Sequence, residues 1–464
     1  MSNKSRTWFF GLEDEEGSVN ENAPQIETEA PLTENTGVKT DTSDVQTTEQ
    51  QTIAEPGQPD ESQPAVEDLE VPSETVEARL VEFEGLDREI GDLMADGEQL
   101  VADTETMERV TDEVAASGAE GGLTEVGSRV ANVAVEHYCT RWGIDRVVVA
   151  SESFSTPGAR MNATRIATES MVDTVAKGWD RFVEWLKALV KKLKAAFVHY
   201  TGIGKTLVSR GERLKARLDK GLGSRTTREF DAGAWAAKVS INGKIDVAGT
   251  IEALSGIESQ ANTGAKSILD HLDSISKGND SQVPSVVLGK ATQNKAALSV
   301  AGVNGAKVSA LPGNSYLISY SREGQMHVEL RNIPAKAEGK LDTPDVATMQ
   351  KAVEVILSAG SALEGGHMSS LNKLVTAIEG LSNKPGFGGG ELKSAVKSGD
   401  NAKVSEARGG MERGRAAVLA ASTFVRAVST TIKDGAVGLS DYVTAALRVY
   451  DSKSKEKSTA VAVA

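Results

Sequence analysis

Cysteine is almost missing: Cys139 is the single one in 464 residues. No disulfide can close within the chain, and thiol nucleophiles and Cys-based zinc sites are excluded beyond that position, a usage that suits a reducing cytoplasm. Aromatic residues make up 4% of the chain, which speaks against one large, densely packed enzyme core. Proline is scarce, 12 residues against 45 glycines, so a collagenous or proline-rich fibre is excluded. No run approaches the roughly 18 consecutive apolar residues of a membrane span. The apolar Trp8-Phe9-Phe10-Gly11-Leu12 is followed at once by Glu13-Asp14-Glu15-Glu16, too short for a signal-peptide core.

Catalytic signatures are missing as well. The five histidines, His137, His199, His271, His327 and His367, are scattered without paired ligand spacing, so no metal site is expected. There is no Gly-x-Ser-x-Gly elbow. Gly202-Ile203-Gly204-Lys205-Thr206 ends like a phosphate-binding loop, but the motif needs a glycine where His199 stands and a strand where the pattern is helical. It reads better as a break between two helices. No catalytic residue, cofactor or metal ligand is assigned, and the chain reads as a non-enzyme.

What the sequence does contain is charge, divided in two. The formal charge is −15. Up to Glu152 there are 36 acidic against 9 basic residues, a balance of −27, which leaves +12 for the remainder. Partners inferred from the average would therefore be wrong for both parts.

Four regions follow. Residues 1–72 are rich in Glu, Thr, Gln and Asp, hold six of the twelve prolines and have few bulky apolar residues; this composition predicts a disordered acidic tail. Residues 73–152 open with a seven-residue column, Leu86, Leu93, Leu100, Met107 and Val114. A second column starts at Phe83 and Ile90 and is interrupted by Gly97, Thr104 and Thr111. The spacing predicts a helix with an apolar seam. Ser117-Gly118 and Gly121-Gly122 break it, and a second helix spans about 123–141. Val147 to Gly158 reads as an extended run passing into a small-residue loop, exposed enough for a protease cleft.

Residues 153–230 carry the strongest periodicity. Val172, Val175, Trp179, Phe182, Leu186, Leu189, Leu193, Ala196 and Tyr200 recur in steps of three and four, with lysines on the opposite face. A further basic helix is predicted over 207–222. Residues 231–464 read as mostly helical, with helices over 245–277, 344–381, 402–433 and 437–450. A small antiparallel β-meander lies at about 283–331, its strands at 306–311, 315–320 and 326–330 separated by Pro312-Gly313-Asn314 and Arg322-Glu323-Gly324. The fold class is thus mainly α, with a small β insert.

The basic helix permits three uses. It can pack Trp179, Phe182 and Trp185 into a helical core, lie on an anionic membrane surface, or rest its charged face on nucleic acid and gain affinity from counterion release. The residues for the last use are Lys187, Lys191, Lys192, Lys194, Arg210, Arg213, Lys215 and Arg217.

The order of features resembles the internal head (inner body) virion proteins of phiKZ-like giant tailed phages. The resemblance rests on the acidic heptad helix, Gly121-Gly122-Leu123-Thr124, the helix ending Val135-Glu136-His137-Tyr138, then Ala150-Ser151-Glu152-Ser153-Phe154, Arg165 to Ser170, and the Trp/Lys helix from Trp179 to Lys194. It covers roughly residues 75–200. It implies a structural protein of the capsid interior, assembled in the host cytoplasm, packaged with the genome and made with an acidic propeptide. A prohead protease that cleaves after small-x-Glu would cut Glu152-Ser153, with Ala150 and Glu152 as recognition residues. The tripeptide alone is uninformative, since it occurs fourteen times in this chain; the position at the charge reversal singles this copy out. Gly11-Leu12-Glu13 also fits, and Trp8 to Leu12 could dock on the assembling head. The implied partners are the prohead protease, other head or inner-body proteins and packaged DNA, without a small-molecule substrate. Cleavage would leave a basic product of +12. Two alternatives stay open: an ejected effector acting on the host membrane, and an enzyme within 231–464.

Overall fold

The structure, a computed structural model, describes residues 73–145, 154–277, 282–291, 305–333, 339–364, 369–384, 387, 389–398 and 401–450. All of them belong to one compact unit that spans residues 65–464. The expected disordered tail, the peptide Trp8 to Leu12 and the bond Glu152-Ser153 lie outside the described residues.

Helix α1 (Ser73–Ser117) ends in a short 3-10 turn, Gly118–Glu120. Helix α2 (Glu125–Trp142) is capped by the Thr124 hydroxyl, which accepts the Gly127 N–H, and stops at Gly143, whose φ of 60° suits glycine. Then comes α3 (Pro157–Asp219), 63 residues in one helix and so about 95 Å long. Its start is dictated locally: Thr156 accepts the Ala159 N–H at 3.2 Å, and Pro157 occupies the first turn, where a missing N–H costs nothing.

The expected break at Gly202–Gly204 does not occur, and the two basic helices are one. The physical reason is a neighbour, helix α6 (Val346–Glu364). A Cβ on Gly204 would lie 2.6 Å from both the Gly360 carbonyl oxygen and the Glu364 nitrogen, and one on Gly360 would meet the Val208 nitrogen at 3.0 Å. The glycines let two helix backbones approach closely, which offsets their poor helix propensity. The phosphate-loop look-alike is a helix crossing.

The C-terminal half adds short strands β1 (Glu229–Asp231), β2 (Ser240–Ile241) and β3 (Lys244–Ile245), with the single-turn helix α4 (Trp235–Lys238) between β1 and β2. Helix α5 (Val247–Ser276) follows. The meander is β4 (Lys290–Ala291), β5 (Lys307–Leu311), β6 (Ser315–Arg322) and β7 (Gln325–Asn332), antiparallel in that order. Arg322 pairs with Gln325 across Glu323 and Gly324, both with positive φ, the two-residue turn that matches strand twist. Strand β8 (Lys340–Asp342) pairs with β1. The single helix predicted over 344–381 is two, α6 and α7 (Ser369–Ser382). After α8 (Gly390–Ser398) the two helices predicted over 402–450 merge into α9 (Asn401–Leu447), 47 residues long.

One core cluster runs through these elements from Phe83 to Leu447, and Val308, Ala310, Tyr316 and Ile318 of the meander form a second, smaller one. The larger is built from Ala, Val, Leu, Ile and Met on long helices, with aromatic rings at a few junctions such as Phe83–Tyr200, centroids 4.7 Å apart, and Phe182–Trp185 at 5.0 Å. Helix α3 lies between α1 and α6, and both α3 and α5 pack against α9.

Candidate functional site: the basic face and the acid–base helix interface

Residues 185–211 of α3 contain six Lys and Arg residues and no acid. At 100° per residue, Lys187, Lys191 and Lys205 fall on the face opposite Leu186, Leu189 and Leu193, and all three are exposed. None of these three lysines forms an ion pair among the described residues. Further along the helix Arg213 and Lys215 are also exposed and Arg217 is half-buried. Three of the candidate contacts are already engaged. Lys192 pairs with Glu89 of α1, Lys194 with Glu379 of α7 at 2.7 Å, and Arg210 with Asp441 of α9 at 2.7 Å. The free basic face is therefore narrower than the sequence suggests.

The apolar side of α3 is fully used. Trp179, Phe182, Leu186 and Leu189 are buried against α1 and the C-terminal helices, and Trp185 is nearly so. The residues that interrupt the second column of α1 turn out to be where other side chains enter. Gly97 faces Trp185, whose ring carbon Cζ2 lies 2.1 Å from where a Cβ would sit. Thr104 shares a hydrogen bond of 2.6 Å with the Tyr138 hydroxyl of α2, and Thr111 is buried with its hydroxyl donating to the Met107 carbonyl. The Trp185 indole N–H donates to the Leu93 carbonyl at 2.6 Å, and the Trp179 N–H to Glu108 at 2.9 Å.

Three arginines of α9 meet the acids of α1, an arrangement sequence reasoning missed. Arg408, Arg415 and Arg426 are spaced by 7 and 11 residues, which returns each to the same side of a helix. Arg408 reaches both oxygens of Asp112, at 2.7 and 2.8 Å. Arg426 binds Asp87 with Nε and Nη2, each at 3.0 Å. Between them Arg415 is 2% exposed, lies 3.4 Å over the Trp179 ring, donates Nε to the Met411 carbonyl at 3.1 Å and faces Glu105 at 3.9 Å. Burial lowers its guanidinium to about 10, opposed by Glu108 and Glu105. Burial likewise raises Glu105 and Glu108 above the usual carboxylate range, Arg415 acting against it in both and the Trp179 hydrogen bond in Glu108. The 7- and 11-residue spacing was the available signal, but the partners lie about 300 residues away.

A polar cavity of about 480 Å³ adjoins this interface, lined among others by Glu105, Glu108, Arg322, His327 and Arg408. Among the described residues no group of three or more His, Cys, Asp or Glu could hold a metal ion. No described helix is long and apolar enough to cross a membrane. The cleavage residues Ala150, Glu152 and Ser153 lie outside the described residues, between Asp145 and Phe154.

Long helices interlocked by buried aromatic, glycine and arginine contacts define a mainly helical fold with a small β insert. The chain belongs to the phiKZ-like phage internal head proteins, whose family model matches residues 85–453. It is therefore a structural virion protein of the phage capsid interior. The match begins inside α1 and extends past α9, so it covers far more than the stretch that carried the resemblance. Comparison with curated proteins and with solved structures returns no match.

Proposed function

We propose that this internal head protein is assembled in the host cytoplasm, is packaged with the genome and lies against it through α3, and is matured by a prohead protease acting after Glu152. The observation that carries the DNA reading is the acid-free stretch 185–211, with Lys187, Lys191 and Lys205 exposed on one face and unpaired among the described residues. Such a face takes up phosphates without sequence preference, because the gain comes from releasing condensed counterions. Other head proteins and the prohead protease are the remaining partners in this reading.

Burial of the apolar face of α3 favours the DNA reading over the lipid one. An interfacial helix must offer its apolar face to the bilayer, and here Trp179, Phe182 and Leu186 are inside the core.

Two measurements test the proposal. Binding of the full chain to duplex DNA across a salt series should weaken steeply. Replacing Lys187 and Lys191 together by Glu should lower the slope of log K against log[salt] by about 2; an unchanged slope removes the α3 face as the contact. N-terminal sequencing of the protein from purified particles should find a chain that begins at Ser153, and the absence of that start removes the processing step.

A further inference from the structure

The charge division suggested that cleavage would discard all the acid before Ser153. The contacts argue otherwise. Helix α1 places Phe83, Ile90, Met94, Leu100, Met107 and Val114 in the same core as α3 and α9. Helix α2 adds Ala131, Val135, Tyr138 and Cys139. Taking these helices away would uncover Trp179 and Trp185 and leave both indole N–H groups without their acceptors, Glu108 and Leu93. It would also strand Arg426, which binds both oxygens of Asp87, and the buried Arg415. Buried groups stripped of partners are costly to leave unmet.

We propose that residues 73–145 are a permanent part of the folded particle and stay bound without a covalent link when the chain is cut between Asp145 and Phe154. The product of processing is then a two-chain complex, and acid can be released only from the segment before α1. This rests on the cleavage reading above but concerns what the cut does. Residues 1–72 hold 17 acidic and 3 basic residues; residues 73–464 hold 49 and 48. The part from residue 73 onward is thus close to neutral by itself, a single cut between Asp145 and Phe154 leaves the complex at −15, and the basic region with its +12 is never free. Affinity for DNA then comes from the local α3 face, not from net charge.

The test uses the full chain with a site-specific protease sequence inserted between Asp145 and Phe154. After complete cutting, size-exclusion chromatography at about 1 µM and native mass spectrometry should find both fragments in one 1:1 species, separable only in denaturant. A free N-terminal fragment beside a folded C-terminal one would overturn the proposal. A second variant, Gly97→Leu, inserts a side chain where Trp185 already sits. Once cut it should release its N-terminal fragment at least tenfold more readily, and equal retention would overturn the assignment of the interface. Because the cut is made in vitro, the outcome does not depend on where the protein from particles begins.

Discussion

Arg426 and Asp87 stand 339 residues apart in the chain and form a two-pronged ion pair, Nε and Nη2 each 3.0 Å from a carboxylate oxygen. Both side chains are largely withdrawn from water, 26% and 20% exposed. Replacing either by Ala should cost about 2 kcal/mol, since it leaves the other charge half-buried without a partner. The double replacement should cost clearly less than the sum of the two. Urea unfolding of the four proteins measures this, and additive costs would mean the pair does not couple α1 to α9.

Two glycines should respond in opposite directions. Gly85 in α1 has open space where a methyl group would sit, with no atom within 4 Å, so Gly85→Ala should stabilise by roughly 0.5–1 kcal/mol through helix propensity. Gly204→Ala should destabilise by about 2 kcal/mol, because the new methyl meets backbone atoms of α6 that cannot swing aside. Thermal unfolding distinguishes the two signs.

Acid should favour the interface around Glu108. Burial holds this carboxyl above its ordinary value of 4.5. Its ionisation therefore costs stability above the raised pKa, and the cost is relieved as pH falls through that value toward 4.5. Glu108→Gln keeps an acceptor for the Trp179 N–H and removes the titration. It should be at least as stable as wild type at pH 7, and lose ground to it on acidification by about 1.4 kcal/mol for each unit of the displacement. Glu108→Ala, lacking the acceptor, should be less stable than Gln at every pH.

Adjacent lysines should separate binding from stability. Lys191 is exposed and unpaired among the described residues, whereas Lys192 pairs with Glu89. Lys191→Glu should leave unfolding unchanged and weaken DNA binding. Lys192→Glu should lower stability by roughly 0.5 kcal/mol, the modest value of a half-exposed pair.

Cys139 offers a probe of α2. Its side chain is 2% exposed, so a thiol reagent should label the native chain only through opening of the fold. Labelling should accelerate in step with denaturant-induced unfolding, and fast labelling of the native protein would show α2 detaching on its own.

The sequence displayed whatever depends on local chemistry. The meander was legible because Pro312-Gly313-Asn314 and Glu323-Gly324 punctuate alternating strands, and the start of α2 because Gly121-Gly122 break the helix before it. Continuity of α3 and α9 was not legible. Gly204 reads as a breaker until α6 is seen lying against it, and Gly435 reads likewise until Leu254 of α5 is found beside it. The interruption of the α1 column at Gly97 and Thr104 looked like a weakness in the seam, yet these positions receive Trp185 and Tyr138. The basic face was visible in outline, but only pairing with distant elements shows that Lys192, Lys194 and Arg210 are committed inside the fold.

With Asp87, Glu89 and Asp112 neutralised by arginine and lysine partners within the unit, nearly all the long-range self-repulsion of the chain is concentrated in its first 72 residues. Copies that carry them repel one another in solution. Copies without them sit near their isoelectric point, where electrostatics no longer opposes close approach. The charge of the N-terminal segment thereby opposes close approach between molecules, a colloidal property that bears on how densely copies can crowd.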